Sequence, residues 1–172
     1  MNWYCGIDPG LNGAIAFYNS EELCIADMPI QNKSDSYHTK TVRRKIDTPA
    51  LAEIVRVHIR AHGSIFLALL EEPHSLPRDG HVGAFTFGKT CGIMEGVLAA
   101  LNVRTIFVNP AVWKNQMGLS ASKQKSLEKA KELFTNIEGA SKFFERKKDD
   151  GRAEAALLAY LAFKKFGGKG EN

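Results

Sequence analysis

Cysteine is scarce. Three residues, Cys5, Cys24 and Cys91, form neither a C-x-x-C pair nor an even framework. That excludes a disulfide scaffold, argues against cysteine as a metal ligand, and points to a reducing, intracellular compartment. The histidines, His38, His58, His62, His74 and His81, show no H-x-H or H-E-x-x-H spacing, which argues against a zinc site. No G-x-x-x-x-G-K-[S/T] stretch is present, so a P-loop ATPase is excluded. No apolar run approaches the length of a membrane span. The start of the chain lacks a charged region followed by a long apolar run, so no signal peptide is expected. The expected location is cytoplasmic, in the chain's own cell or in a host's. Neither sign of charge dominates. Twenty-three Lys and Arg against 19 Asp and Glu leave +4, compatible with a polyanionic partner without identifying one. The basic clusters Arg43-Arg44-Lys45 and Arg146-Lys147-Lys148 read, taken alone, as solvated surface.

What is present is a globular pattern: 44% of the 172 residues are apolar, enough for one domain with a substantial core. That domain is expected over residues 1–166, with 167–172 as a flexible tail. Trp3 to Asp8, Ala14 to Tyr18 and Leu23 to Met28 read as strands joined by turns at Asp8-Pro9-Gly10, Asn12-Gly13 and Asn19-Ser20-Glu21, giving an antiparallel meander. Gln31 to Asp47 has no period and reads as loop. Thr48-Pro49 looks like an N-cap followed by proline at N1, opening a helix to about Arg60 that His62-Gly63 stops. Ser64 to Leu70 is almost wholly apolar, which suits a central strand buried on both faces. Pro73 to Gly83 reads as loop, and Phe85 to Leu101 as a long helix. Gly88, Gly92 and Gly96 recur on that helix at intervals of four. Each costs about 1 kcal/mol relative to alanine inside a helix, so the stripe implies close approach of another backbone, from the sheet or from a second subunit. A strand from Arg104 to Val108, a helix from Ser122 to about Phe134 and a last helix from Asp150 to Phe166 complete the chain. A meander passing into βαβ crossovers gives a mixed five-stranded sheet, three antiparallel strands followed by parallel βαβ units, flanked by helices: the RNase H-like α/β architecture.

The carboxylates fall at telling places. Asp8 ends the first strand, although an aspartate before Pro-Gly is in isolation a turn residue. Glu71 and Glu72 end the most apolar strand, and because strand side chains alternate only one of them can share a face with Asp8. Asp149, Asp150 and Glu154 surround the start of the last helix, where one aspartate is accounted for as a cap. Asp150 and Glu154, four apart, share a helical face and repel unless a cation bridges them. Acids drawn from three distant segments are costly to hold together without positive charge between them. Hard oxygen donors without a histidine pair select magnesium, with manganese able to substitute, and a pair of such ions cleaves phosphodiesters.

Gly6-Ile7-Asp8-Pro9-Gly10 with Gly13, Leu70-Glu71, the glycine-punctuated helix from Phe87-Gly88 to Leu101, Val108-Asn109-Pro110, Trp113-Lys114, Lys125-Ser126 and Asp150-Gly151-Arg152-Ala153-Glu154-Ala155 occur in an order that resembles the RuvC-type Holliday junction resolvases, most closely the bacteriophage branch. The resemblance implies a homodimer and magnesium-dependent cutting of branched DNA: four-way junctions, with flaps and Y-forks made plausible by a departure at the last ligands. In the bacterial pattern these are usually three apart and end in aspartate; here they are four apart and end in glutamate. It maps the metal ligands and catalytic acids onto Asp8, Glu71, Asp150 and Glu154, leaving Asp149 against Asp150 open and giving Glu72 no fixed role.

On this reading two magnesium ions would be held by the acids, and paired nicks would leave 5′-phosphate and 3′-hydroxyl ends. Lys125 is the candidate catalytic cation near the scissile phosphate. Lys114 and Lys123, with Lys125, are the candidate DNA contacts. Phe85, Phe87 or the loop from Leu76 to Gly80 could wedge into an opened junction. Competing readings are a ribonuclease acting on RNA–DNA hybrids and a non-catalytic junction-binding protein. A sugar kinase or actin-like ATPase would need two such domains, which the length excludes.

Overall fold

The computed structural model describes residues 2–32, 44–72 and 80–167. Strands β1 (Trp3–Asp8), β2 (Ala14–Tyr18) and β3 (Leu23–Asp27) form the expected meander. A two-residue pair, β4 (Ile30–Gln31) and β5 (Lys45–Ile46), follows in the stretch read as loop. Then come α1 (Thr48–His62), β6 (Ile65–Glu71), α2 (His81–Ala100), β7 (Thr105–Val108), α3 (Pro110–Gln116), α4 (Lys123–Leu133), a 3₁₀ turn at Ala140–Phe143 and α5 (Asp150–Phe166). The main sheet has the order β3-β2-β1-β6-β7. β1 and β2, and β2 and β3, run antiparallel; β6 lies parallel to β1, and β7 parallel to β6. This is the mixed five-stranded sheet expected from the sequence.

Alternation along the strands splits the core into two layers. Tyr4, Ala14, Ala16, Leu67 and Leu69 pack with the alanine- and leucine-rich side of α5. Trp3, Cys5, Ile7, Phe17, Ala68 and Leu70 pack on the other face with Leu51 and Val55 of α1 and with Met94 and Leu98 of α2. α5 is buried nearly all round, which a central helix of small residues permits. Its approach to β1 depends on Gly6: a Cβ there would lie 2.1 Å from Ala155 O and 2.2 Å from Ala159 N, distances no side chain can occupy.

Three local expectations are corrected. Asp47, not Thr48, is the N-cap of α1; its carboxylate accepts from Ala50 N, and Pro49 sits within the first turn. Aspartate is the better acceptor there. α2 begins at His81 rather than Phe85, because Gly80 supplies the extended residue that opens it. The glycine stripe on α2 is not a seam against the sheet: among the described residues, a Cβ on Gly88, Gly92 or Gly96 would meet nothing within 4 Å. The stripe faces outward. Of the stretch from Leu76 to Gly80, residues 76–79 lie outside the described residues, as does the tail from residue 168. Among the described residues no helix is long and apolar enough to cross a membrane.

Candidate active site

The sheet itself brings the first two acids together. Ile7 is registered with Leu70 across the central parallel pair, so the next step along each strand sets Asp8 beside Glu71 at their carboxyl ends. Both belong to the sheet face that packs on α5. Alternation decides between the two glutamates: Glu71 is buried while Glu72 is exposed, and Glu72 N–H donates to Val108 O at 2.8 Å.

The third contribution comes from α5, whose first turn is pressed against the turn after β1. A Cβ on Gly151 would come within 2.5 Å of Asn12 O and 3.2 Å of Asp8 Oδ2, so glycine at 151 is what lets the helix start so close to Asp8. Asp150 and Glu154 then flank this contact, one turn apart. Glu154 is buried. Its Oε1 accepts from Ser126 Oγ at 3.1 Å and lies 2.7 Å from Lys114 Nζ. Asp150 Oδ2 lies 2.6 Å from Lys123 Nζ, and that ammonium also feels Glu154 and Asp8. Glu71 Oε2 accepts from Trp113 Nε1 at 2.9 Å. Trp113 is held because Asn109 caps α3 through Ala111 N and Pro110 fixes its first turn. Glu71, Asn109, Lys114 and Ser120 line a cleft of about 570 Å³.

Asp8 therefore sits among like charges. Burial pushes its carboxyl up to about 7, and Glu154 and Glu71 push the same way, against the Gly10 N–H and Lys123, which favour the anion. The bond from Gly10 N to Asp8 Oδ1 measures 3.1 Å. Two lysines against four acids leave the cluster short of positive charge. Hard carboxylate oxygens with unbalanced negative charge suit a divalent oxygen-seeking cation, and Asp8, Glu71, Asp150 and Glu154 are the residues that would hold it.

Asp149 and Asp150 separate clearly. Asp149 is 2% exposed, and its carboxylate accepts from Arg146 N at 2.8 Å and Arg146 Nε at 2.9 Å, with Arg152 close by. Burial alone would push its pKa up, but these arginine contacts hold it below the ordinary carboxylate range. It occupies the cap position of α5 without capping the helix through its side chain, so the sequence reading of an aspartate spent on the cap does not hold. Arg152 makes a two-pronged pair with Asp27 at 2.5 and 2.6 Å, tying the start of α5 to the end of β3. The Asp149 side of the motif is structural, and only Asp150 turns to the cluster.

The lysines are distributed differently from the sequence reading. Lys114 and Lys123 meet the acids directly. Lys125 is exposed on α4, makes no ion pair with the cluster among the described residues, and contributes its backbone N–H to the Ser122 cap. Two functional side chains were missed. Ser126 and Trp113 orient Glu154 and Glu71, and their only signal in the sequence was adjacency to Lys125 and Lys114. Phe85 is 74% exposed on the outer face of α2, whereas Phe87 is half-buried.

No family model matches the chain. Over 154 residues it is 28% identical to the chloroplastic Holliday junction resolvase MOC1 of Chlamydomonas reinhardtii; the match takes in 81% of this chain and 17% of that protein, so the chain spans under a fifth of its relative's length. A Thermus thermophilus RuvC structure in complex with a Holliday junction substrate superimposes with a TM-score of 0.62 at 14% identity, covering 97% of each chain. A second Thermus thermophilus RuvC structure gives 0.54 at 14% identity, covering 98% of this chain and 96% of that one. The fold is therefore that of RuvC, an RNase H-like mixed sheet with helices on both faces.

Proposed function

We propose that the protein is a metal-dependent, structure-selective DNA endonuclease that resolves four-way junctions, and cuts flaps and Y-forks, by paired nicks. The observation that carries this reading is the convergence of Asp8, Glu71, Asp150 and Glu154 from three distant segments, with the Asp8 carboxyl driven up to about 7. Asp150 and Glu154 each meet a lysine, yet Asp8 is held buried against its own charge beside Glu154 and Glu71, a cost that acids kept only for stability would not carry. The likeness to a chloroplastic resolvase and to junction-bound RuvC supports the choice of substrate.

Two magnesium ions, with manganese as a substitute, are the cofactors we assign; when bound they supply an activated water and neutralise charge on the departing 3′-oxygen. The chain's residues do the rest. Asp8, Glu71, Asp150 and Glu154 bind the cations, and Trp113 and Ser126 fix the orientation of Glu71 and Glu154. Lys114 and Lys123 bring ammonium groups to the edge of the cleft, where a scissile phosphate would lie. Lys125, on the exposed side of α4, is a backbone contact. Arg44, whose guanidinium reaches Leu11 O and Asn12 Oδ1 in the turn after Asp8, lines with Lys45, His81, Phe85 and Lys89 a groove of about 560 Å³ suited to a DNA strand. Phe85, at its rim, is the wedge that would enter an opened junction. A homodimer through the outward glycine face of α2 would set two such sites against two opposed strands. The attribution to a phage and to a host cytoplasm rests on the sequence resemblance.

A four-way junction with one labelled strand, incubated with and without magnesium beside Asp8→Asn, tests the reading. Paired symmetric nicks that need the metal and disappear in the variant support it. Binding without nicks in either magnesium or manganese leaves a junction-binding protein, and preferential cutting of an RNA–DNA hybrid makes it a ribonuclease.

A further inference from the structure

On the sheet face opposite Asp8, a second group of potential ligands has formed. β3 is the edge strand, and Cys24 is registered with Phe17 of β2. α1 packs over this face, and its residues His58 and His62, one turn apart, come down beside Cys24. One ligand atom from each of Cys24, His58 and His62 lies within 4.8 Å of the others.

His58 is the unusual member. It is 6% exposed, its ring stacks on Phe17 at 3.9 Å and 9°, and it meets the edge of Trp3 at 4.5 Å. Among the described residues its Nε2 is the buried side-chain nitrogen or oxygen without a hydrogen-bond partner. A buried polar atom left unpaired costs about 1–3 kcal/mol, and native structures keep few of them without a reason. Burial, and then the neighbouring His62, push the imidazole down to about 4, so it is neutral at physiological pH, the form in which histidine ligates metals. His62 ends α1, where Gly63 at φ 88° turns the chain away; its side chain is exposed, with its ring resting against Trp3 at 4.8 Å and His58 at 4.7 Å.

We propose that Cys24, His58 and His62 bind one zinc-class cation, with solvent in the fourth position. The thiolate and two imidazoles are the donor set zinc prefers. Tetrahedral zinc with sulfur near 2.3 Å and nitrogen near 2.1 Å brings ligand atoms to roughly 3.3–3.8 Å of one another. Rotation of Cys24 and His62 covers the remaining ångström while His58 stays clamped. Burial and Glu22 hold the Cys24 thiol above its ordinary range, against Lys142, so the cation itself displaces the thiol proton to solvent as it binds. The ion would staple the last turn of α1 to the edge strand, independently of the carboxylate cluster. The lack of a C-x-x-C pair and of any H-x-H or H-E-x-x-H spacing had argued against a cysteine or zinc site; only the packing of α1 on the sheet brings the three residues together.

Cobalt(II) is the probe. The metal-free protein carrying Asp8→Asn, which weakens the carboxylate cluster, is titrated under a non-chelating reductant. The expected result is one equivalent giving tetrahedral d–d bands with a thiolate-to-cobalt charge-transfer band, both removed by zinc. Cys24→Ser should lose the charge-transfer band, and His62→Ala, on an exposed residue, should bind at least tenfold more weakly. Circular dichroism checks that both variants are folded. In the native background, zinc should raise the melting temperature of the parent more than that of Cys24→Ser, while His62→Ala keeps its magnesium-dependent cleavage. An octahedral spectrum alone, or a charge-transfer band that survives Cys24→Ser, overturns the site.

Discussion

Replacing Asp8 with asparagine should make the metal-free protein more stable while abolishing cleavage. The Asp8 carboxyl is raised from 3.8 to about 7 by burial and by its acidic neighbours. Well below pH 4 the group is protonated in the folded and unfolded chain alike and contributes nothing. As pH rises towards 7 the unfolded chain has released the proton while the folded chain still holds it, so stability falls with pH and stays low above 7. At about 1.4 kcal/mol per pH unit, a shift of about three units sets an upper figure of about 4 kcal/mol. Solvent reaching the partly open cleft lowers it to about 2–4 kcal/mol. Asparagine keeps the oxygen that accepts from Gly10 N–H and is nearly isosteric, so most of that penalty should be recovered. Urea unfolding in the presence of a chelator, near pH 8 and near pH 4.5, measures it. The gain should be about 2–4 kcal/mol at the higher pH and no more than about 1 kcal/mol at the lower, where the unfolded chain has already released most of the proton. Magnesium should stabilise the parent and leave the variant little changed. A variant no more stable than the parent near pH 8, or a gain of the same size at both pH values, would refute the argument that Asp8 is held against its own charge.

Other substitutions separate orientation, packing and chemistry. Asp150→Asn should remove cleavage without lowering the melting temperature, whereas Asp149→Asn, which breaks the Arg146 pair, should cost about 1–3 kcal/mol of stability and retain cleavage per folded molecule; the reverse pattern would exchange their roles. Trp113→Phe leaves Glu71 Oε2 without its buried donor and should raise the magnesium concentration for half-maximal cleavage several-fold, read from rate against metal concentration. Gly6→Ala drives a methyl into the α5 backbone and should cost more than about 3 kcal/mol, seen as loss of the cooperative melt.

How far this could be read from the chain follows from the range of each interaction. The sheet was legible because strand length, alternation and the wholly apolar run from Ile65 to Leu70 report burial directly, and because the turn residues between β1, β2 and β3 fix their pairing. That one of Glu71 and Glu72 would join Asp8 followed from strand alternation, while the choice of Glu71 came from the resemblance. The choice between Asp149 and Asp150 followed from neither, since both precede the same helix and the deciding groups, Arg146, Arg152 and Lys123, act through tertiary contact. Lys125 was favoured over Lys114 for a similar reason: a lysine's reach is long, and α3 had no clear period in the sequence to say where Lys114 would point. The glycine stripe announced a close approach on α2 but not its partner, and among the described residues there is none. The Cys24, His58 and His62 group was hidden because Cys24 lies on β3 while the two histidines, four apart, lie on α1, so only the packing of α1 on the sheet brings the thiol to them.

Lys114 gives the sharpest test of how charge is shared in the cleft. Its ammonium lies 2.7 Å from Glu154 Oε1 with both side chains largely buried, at 15% and 10% exposure, and its position over the Trp113 ring, 5.3 Å from the centroid, leaves it few other places to go. In the metal-free protein it therefore does part of the work of a cation. A divalent ion that recruits Glu154 must share that oxygen with Lys114 or displace it, which opposes binding, and a displaced ammonium is then available to a phosphate, which favours the reaction. Lys114→Met keeps the aliphatic stem on Trp113 and removes only the charge. The two effects must then move in opposite directions: half-saturation by magnesium should fall about tenfold, the equivalent of about 1.4 kcal/mol, while the rate at saturating metal falls by a factor on the order of ten or more. A rate loss that extra magnesium restores would mean that Lys114 only positions Glu154. An unchanged metal requirement with an unchanged rate would mean that this ion pair is incidental, and that the cluster reaches its working charge through Lys123 alone.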